Sequence, residues 1–295
     1  MKKYFLISLA SLSLFSACTE EIDVKLPNSD KKLVIEGVIE NGKCAEVIIT
    51  RTIPLFSAQG GTTVDEFYVI DAKVYVSNGV VTDTLKIMID SASSLGLVYK
   101  GSSSAIVGVP GQTYTLKVVA SDGNVYNATT SIPYPVALDS VWWKAAPPED
   151  TLGYANAHLT EPLGLGNNYR WYAKRPTKDR RFIAAYGATF DDKLIDGKSF
   201  EFAYTKGYDP TDSENSAEND SDAERYYYRK TDTIYIKFVS IDRASKEFYT
   251  TFEAALSSNG NPFASPTTIM GNIDNDGLGV WCGMGAFYDT IMPTP

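Results

Sequence analysis

Leu33-Val34-Ile35-Glu36-Gly37-Val38-Ile39, then Glu40-Asn41-Gly42-Lys43, then residues 45–52 with Val47, Ile48 and Ile49: this stretch decides the fold. Its two apolar runs are rich in β-branched residues and read as strands. Asn-Gly between two such runs is the strongest short hairpin signal, because both residues tolerate the positive φ angles of a tight turn. The pattern recurs twice further on. Ala72-Lys73-Val74-Tyr75-Val76 and residues 80–89 flank Ser77-Asn78-Gly79, and residues 113–120 and 124–131 flank Ser121-Asp122-Gly123. Tyr114, Leu116 and Val118 share one face of their strand, the mark of a half-buried sheet. About seven short strands with regular turns in about 100 residues predict an immunoglobulin-like β-sandwich, here over residues 33–134.

Pro110-Gly111-Gln112-Thr113-Tyr114 resembles the approach to a tyrosine corner. Tyr114 also reads as a plain core aromatic, and the residues leave both readings open. Pro133 and Pro135 then close the domain, since two prolines cannot continue a central strand. Residues 138–295 predict a second β-rich domain with one helix, so the chain as a whole is expected to be mainly β. Candidate strands begin at Val141-Trp142-Trp143 and continue at 168–174, 182–189, 199–205 and 233–239. The helix is placed near 243–257. Asp242 is its cap, and Ala244, Phe248, Phe252, Ala255 and Leu256 recur at helical spacing. Asn259-Gly260 and Pro262 stop it. Residues 207–224 hold seven acids and almost nothing apolar, which predicts a mobile surface loop.

The N-terminus carries a different signal. Met1-Lys2-Lys3-Tyr4 is cationic, the run from Phe5 to Phe15 is apolar, and Ser16-Ala17 precede Cys18. The run is too short to span a bilayer, which takes about 20 apolar residues. It reads as a signal peptide, residues 1–17. The small pair before a cysteine resembles a bacterial lipoprotein signal, with diacylglycerol carried on Cys18 and the membrane reached through that lipid. Residues 18–32 then form a lipidated tether of roughly 45 Å when extended. Glu20, Glu21 and Asp23 resemble the export signal that takes lipoproteins to the outer face of the outer membrane.

Net charge is −9 and no Lys/Arg cluster stands out. That argues against nucleic acid as a partner, because phosphate binding needs concentrated positive charge. Cys44 and Cys282 are expected to be free thiols acting as small hydrophobes.

Further residues carry a resemblance. Asn261-Pro262-Phe263, Gly271-Asn272-Ile273 and Gly277-Leu278-Gly279-Val280-Trp281 look like the C-terminal signature of a Bacteroidota lipoprotein family, domain-of-unknown-function family 4249. Leu33-Val34-Ile35-Glu36-Gly37, Asp71-Ala72-Lys73-Val74 and Gly111-Gln112-Thr113-Tyr114-Thr115-Leu116 match its N-terminal half in the same order. The resemblance implies an accessory role beside a TonB-dependent outer-membrane receptor. It supplies no catalytic residue.

The search for chemistry from the residues themselves is short. His158 is the only histidine, and no Gly-x-Ser-x-Gly elbow exists to join it in a triad. Cys/His zinc sites lack ligands once Cys18 is acylated, and no phosphate or dinucleotide motif occurs. No cofactor or metal is expected. Asn272-Ile273-Asp274-Asn275-Asp276-Gly277 spaces its oxygen ligands like a calcium loop, but Gly283 stands where the bidentate glutamate belongs; a turn is the better reading. Trp142, Trp143, Tyr226, Tyr227 and Tyr228 are the candidate partner-binding residues, as amphipathic rings of the kind enriched at interfaces. The expectation is a non-enzymatic, surface-exposed accessory or ligand-capture lipoprotein. The alternative is a cell-surface glycan hydrolase using paired carboxylates.

Overall fold

A computed structural model describes residues 31–53, 67–90, 96–148, 150–207, 226–258, 265 and 267–293. Cys18, the tether up to residue 30, the acidic segment 208–224 and the helix stop at 259–262 lie outside the described residues. The described chain is mainly β, with one α-helix.

β1 (Leu33–Glu40) and β2 (Glu46–Arg51) form the expected hairpin, and Gly42 takes φ 78° in its turn. β3 (Lys73–Ser77) pairs with β4 (Thr82–Ile89), and β6 (Thr113–Val119) with β7 (Val125–Ser131). Gly79 and Gly123 sit in those turns at φ 87° and 86°. β5 (Leu97–Lys100), absent from the sequence reading, joins β2 to β4. Ile35, Ile39, Val47, Val74, Val76, Leu116 and Val118 alternate inward and make one core. Tyr114 satisfies both of its readings: it is fully buried, and its hydroxyl donates to the Val107 carbonyl (3.3 Å) while accepting the Val109 N–H (2.8 Å).

The second half contributes β8 (Ser140–Ala145), β9 (Leu152–Thr160), β10 (Asn168–Lys174), β11 (Ile183–Asp191), β12 (Ser199–Tyr204), β13 (Tyr228–Arg229), β14 (Ile234–Ile241), helix α1 (Arg243–Ser258) and β15 (Leu278–Ile291). A second core gathers around Tyr169, Trp171, Phe238, Ile234 and Leu159. Asp242 caps α1 as expected, its Oδ1 accepting the Ser245 N–H at 2.8 Å. The buried face of α1 is narrower than the apolar stripe suggests. Ser245, Phe248 and Tyr249 are buried, whereas Phe252 and Leu256 stand 38% and 56% exposed.

One sheet runs through both halves. Its eleven strands lie in the order β11-β10-β14-β15-β1-β2-β5-β4-β3-β6-β7. β15 is the joint, parallel to β1 on one side and antiparallel to β14 on the other. Trp281 of β15 enters the first core and Ile291 the second, while Val280, Cys282 and Met284 face a third cluster under α1. Thus the halves 33–134 and 138–295 each have a core of their own, yet share a backbone ladder. β8, β9, β12 and β13 form a separate four-stranded sheet over the second core.

The glycines of β15 have a steric cause. A Cβ on Gly283 would lie 2.4 Å from the Ser131 carbonyl oxygen, and one on Gly285 2.2 Å from that of Pro133. The connector leaving β7 crosses β15 at backbone contact, which only glycine permits.

Candidate functional site

The four-stranded sheet sorts the sequence candidates by strand alternation. Val141 and Trp143 of β8, Ala155, Ala157 and Leu159 of β9, and Phe200 and Phe202 of β12 turn inward. Trp143 is anchored there, its Nε1 donating to the Tyr228 carbonyl at 3.1 Å. Tyr228 is 1% exposed and belongs to the same core. Of these two candidates, Tyr228 is a core residue and Trp143 packs partly buried against the same core, because the register of β8 and β13 against β9 turns their rings inward.

The opposite face keeps the remaining rings. Trp142 stands across from Asn156, Lys144 across from Tyr154, and Ser140 across from His158. Tyr227 meets Tyr154 edge-on, with centroids 5.2 Å apart. Tyr226 is 55% exposed. On the far edge Glu201 and Ala203 pair with His158 and Asn156. The result is a strip of half-exposed rings with amide, carboxylate and imidazole between them. Such a strip can stack on apolar faces while hydrogen-bonding alongside. Tyr154 escaped the sequence reading because β9, with its Gly, Asn and Ala residues, carries little β signal.

His158 lies in the middle of this face. Its Nδ1 is 2.9 Å from Asp139 Oδ2 and its Nε2 is 3.1 Å from Ser199 Oγ. An ionised carboxylate only accepts, so Nδ1 carries the proton and Nε2 accepts from Ser199 in the neutral ring. A hydrogen bond from Thr160, aided by His158, holds the Asp139 carboxyl below its ordinary pKa. The order serine, histidine, aspartate is that of a nucleophilic triad. Here it spans three strands on an open sheet face, and Ser199 Oγ is also shared with Thr160 Oγ1 at 3.0 Å. Its evident effect is to stitch β8, β9 and β12 together.

The Asn272–Gly277 loop has other uses than calcium. Asn272 bonds the Trp281 N–H and carbonyl, both at 2.8 Å. The Asp274 carboxylate accepts from the Asn127 N–H (2.5 Å) and side chain (3.0 Å). The loop so caps the edge strand β7, whose free N–H groups would otherwise invite pairing. Among the described residues no cluster of metal ligands occurs. Cys44 and Cys282 are free, and burial pushes the Cys282 thiol up to about 12.

The helix-covered face of the long sheet holds a charge network. Glu40 receives Lys237 (2.5 Å), the Tyr288 hydroxyl (2.5 Å) and Lys43 (2.9 Å). Burial alone would raise its pKa, but these three partners outweigh it and hold the carboxyl below its ordinary value. Arg170 bonds Glu253 at 2.7 Å and also Thr189, and its guanidinium lies 4.1 Å from the centre of the Tyr249 ring.

No curated protein matches the chain. The profile of a family described as a domain of unknown function (DUF4249) matches residues 19–286. That span takes in both halves of the long sheet, the four-stranded sheet and most of β15, and on it the chain belongs to the DUF4249 family.

Proposed function

We propose that the protein is a surface-exposed outer-membrane lipoprotein, acylated at Cys18, that acts as a non-enzymatic accessory or ligand-capture subunit of a TonB-dependent receptor system. The observation that carries this reading is the outer strip of Trp142, Tyr154 and Tyr227, with Tyr226 beside it. It is a surface suited to contact, and a tethered subunit sits at high effective concentration near its receptor, so a modest interface suffices. The lipid anchor follows from the Ser16-Ala17-Cys18 pattern. A glycan hydrolase would need two facing carboxylates free to act. Among the described acids, the buried Glu40 and Asp179 and the half-buried Glu253 are instead engaged by Lys237, Arg175 and Arg170.

The test is alanine replacement of Trp142, Tyr226 and Tyr227, singly and together, with circular dichroism to confirm folding. Central rings of an interface each contribute about 1–2 kcal/mol. The triple variant should therefore recover the receptor at least tenfold less well and slow growth on a limiting nutrient. Unchanged recovery would remove this face from the proposal.

A further inference from the structure

Two loops beside the second core carry the most exposed leucines among the described residues. Leu163 and Leu165, between β9 and β10, are 87% and 70% exposed, and Leu194, between β11 and β12, is 83% exposed. Single exposed apolar side chains are ordinary, but these three stand on loops that touch and brace each other. Leu163 Cδ1 lies 3.0 Å from where a Cβ on Gly197 would be. The Asp196 carboxylate accepts the Gly164 N–H at 2.6 Å, and the buried Asp192 carboxylate accepts those of Gly166 and Asn167, both at 2.7 Å. The Glu161 N–H donates to the Lys198 carbonyl at 2.9 Å, and the Asn167 side chain donates to the Glu161 carboxylate at 2.8 Å. A hydrogen-bonded frame thus holds the leucines outward.

We propose that Leu163, Leu165 and Leu194 form an apolar tip that enters the interfacial layer of a lipid bilayer, as a membrane contact separate from the acyl anchor. Three leucines fall well short of the about 800 Å² per partner that a stable protein interface buries. Leucine is also under-represented among the residues that carry such interfaces, whereas it passes readily into a bilayer. Backbone donors that enter lipid must already be satisfied, and those of Gly164, Gly166 and Asn167 are. The charges of the two loops nearly balance, with Glu161, Asp192 and Asp196 against Lys193 and Lys198, which suits a zwitterionic surface. Direction agrees. β10 runs parallel to β1, because each step through β14 and β15 is fixed by the register, so the β9–β10 loop precedes its strand on the side from which the chain enters β1. Tyr169 is level with Gly285, and Glu40 with Met284, so β10 begins level with Glu40. That is about 23 Å along the strands from Leu33, within the roughly 45 Å reach of the extended tether. The membrane is the one that the proposed anchor reaches, so the inference rests on that reading; its test uses neither the anchor nor a receptor, and its failure would leave that reading standing.

The test uses the chain from residue 18 with Cys18→Ser, made without its signal peptide, and vesicles of phosphatidylcholine in a flotation assay. The unaltered chain should float with the vesicles in proportion to lipid. Leu163→Asn, Leu165→Asn and Leu194→Asn together should lower the bound-to-free ratio at least about tenfold. Val80→Asn, which changes an exposed apolar residue of the β3–β4 turn, should leave it unchanged. Replacing a third of the lipid by phosphatidylglycerol should not strengthen binding, since a net charge of −9 disfavours an anionic surface. No flotation of the unaltered chain, undiminished flotation of the triple variant, or an equal loss in Val80→Asn would each overturn the proposal. So would flotation that needs phosphatidylglycerol and disappears in high salt, which is adsorption by charge. Loss of a co-purifying protein in the triple variant, with vesicle binding intact, would assign the leucines to a protein partner instead. The lipid comparison on the unaltered chain stands as a test even if the triple variant folds poorly.

Discussion

Gly37 and Trp281 face each other across the parallel pair β1 and β15. A Cβ on Gly37 would lie 2.7 Å from the Trp281 ring, which is fully buried and donates through Nε1 to the Tyr114 carbonyl at 3.0 Å. The glycine is therefore required by a close approach. Gly37→Ala should cost about 1–3 kcal/mol, the usual penalty of overpacking a core. Urea denaturation checks it: the midpoint should fall while the slope stays unchanged. Nothing local announces this pair, because its two members lie far apart in sequence. At the same scale the candidate rings were only half legible. Sequence identified Trp142 and Trp143 as a pair, but a strand sends neighbours to opposite faces, and only the register of β8 against β9 decides which ring goes inward.

Elements with local signals were readable. The three Asx-Gly hairpins, the strand at 168–174 and the Asp242-capped helix all rest on turn, cap or periodicity chemistry, and the structure has them where the residues put them. β9 and the role of β15 were not readable, because their cause is tertiary. β9 needs small Ala155 and Ala157 to sit on the second core, and β15 needs its glycines where the connector crosses. Glu40 ties β1 to these distant partners, meeting Lys237 of β14 and Tyr288 of β15. Because its folded pKa is depressed, the stability it supplies is complete above the unfolded value of 4.5 and is lost as pH falls through the folded value. Glu40→Gln leaves Lys237 without its counter-charge and should cost about 3–5 kcal/mol at neutral pH, the range for breaking a buried pair. Below the folded pKa the variant and the unaltered protein should converge. Thermal melts across that pH range measure this, and a constant gap at all pH values would count against the role given to Glu40.

The whole molecule joins two cores through one continuous sheet, a feature that the composition shift near Pro133 and Pro135 conceals. The prolines do mark the passage between halves, but β15 reaches back to pair with β1, and no local pattern signals a return over such a distance. The fold class was thus legible and the shared sheet was not. The proposed function at this scale would need both the anchor and the contact surface. Cys18→Ser should shift the protein from the membrane to the soluble fraction, as separation by centrifugation will show; full membrane retention would remove the anchor. The most direct test of the proposed accessory role is recovery of the tagged, unaltered protein from native membranes in mild detergent, with mass spectrometry of what accompanies it. We expect a TonB-dependent receptor to be enriched over a control lipoprotein of the same membrane, and recovery without any such receptor would contradict the role.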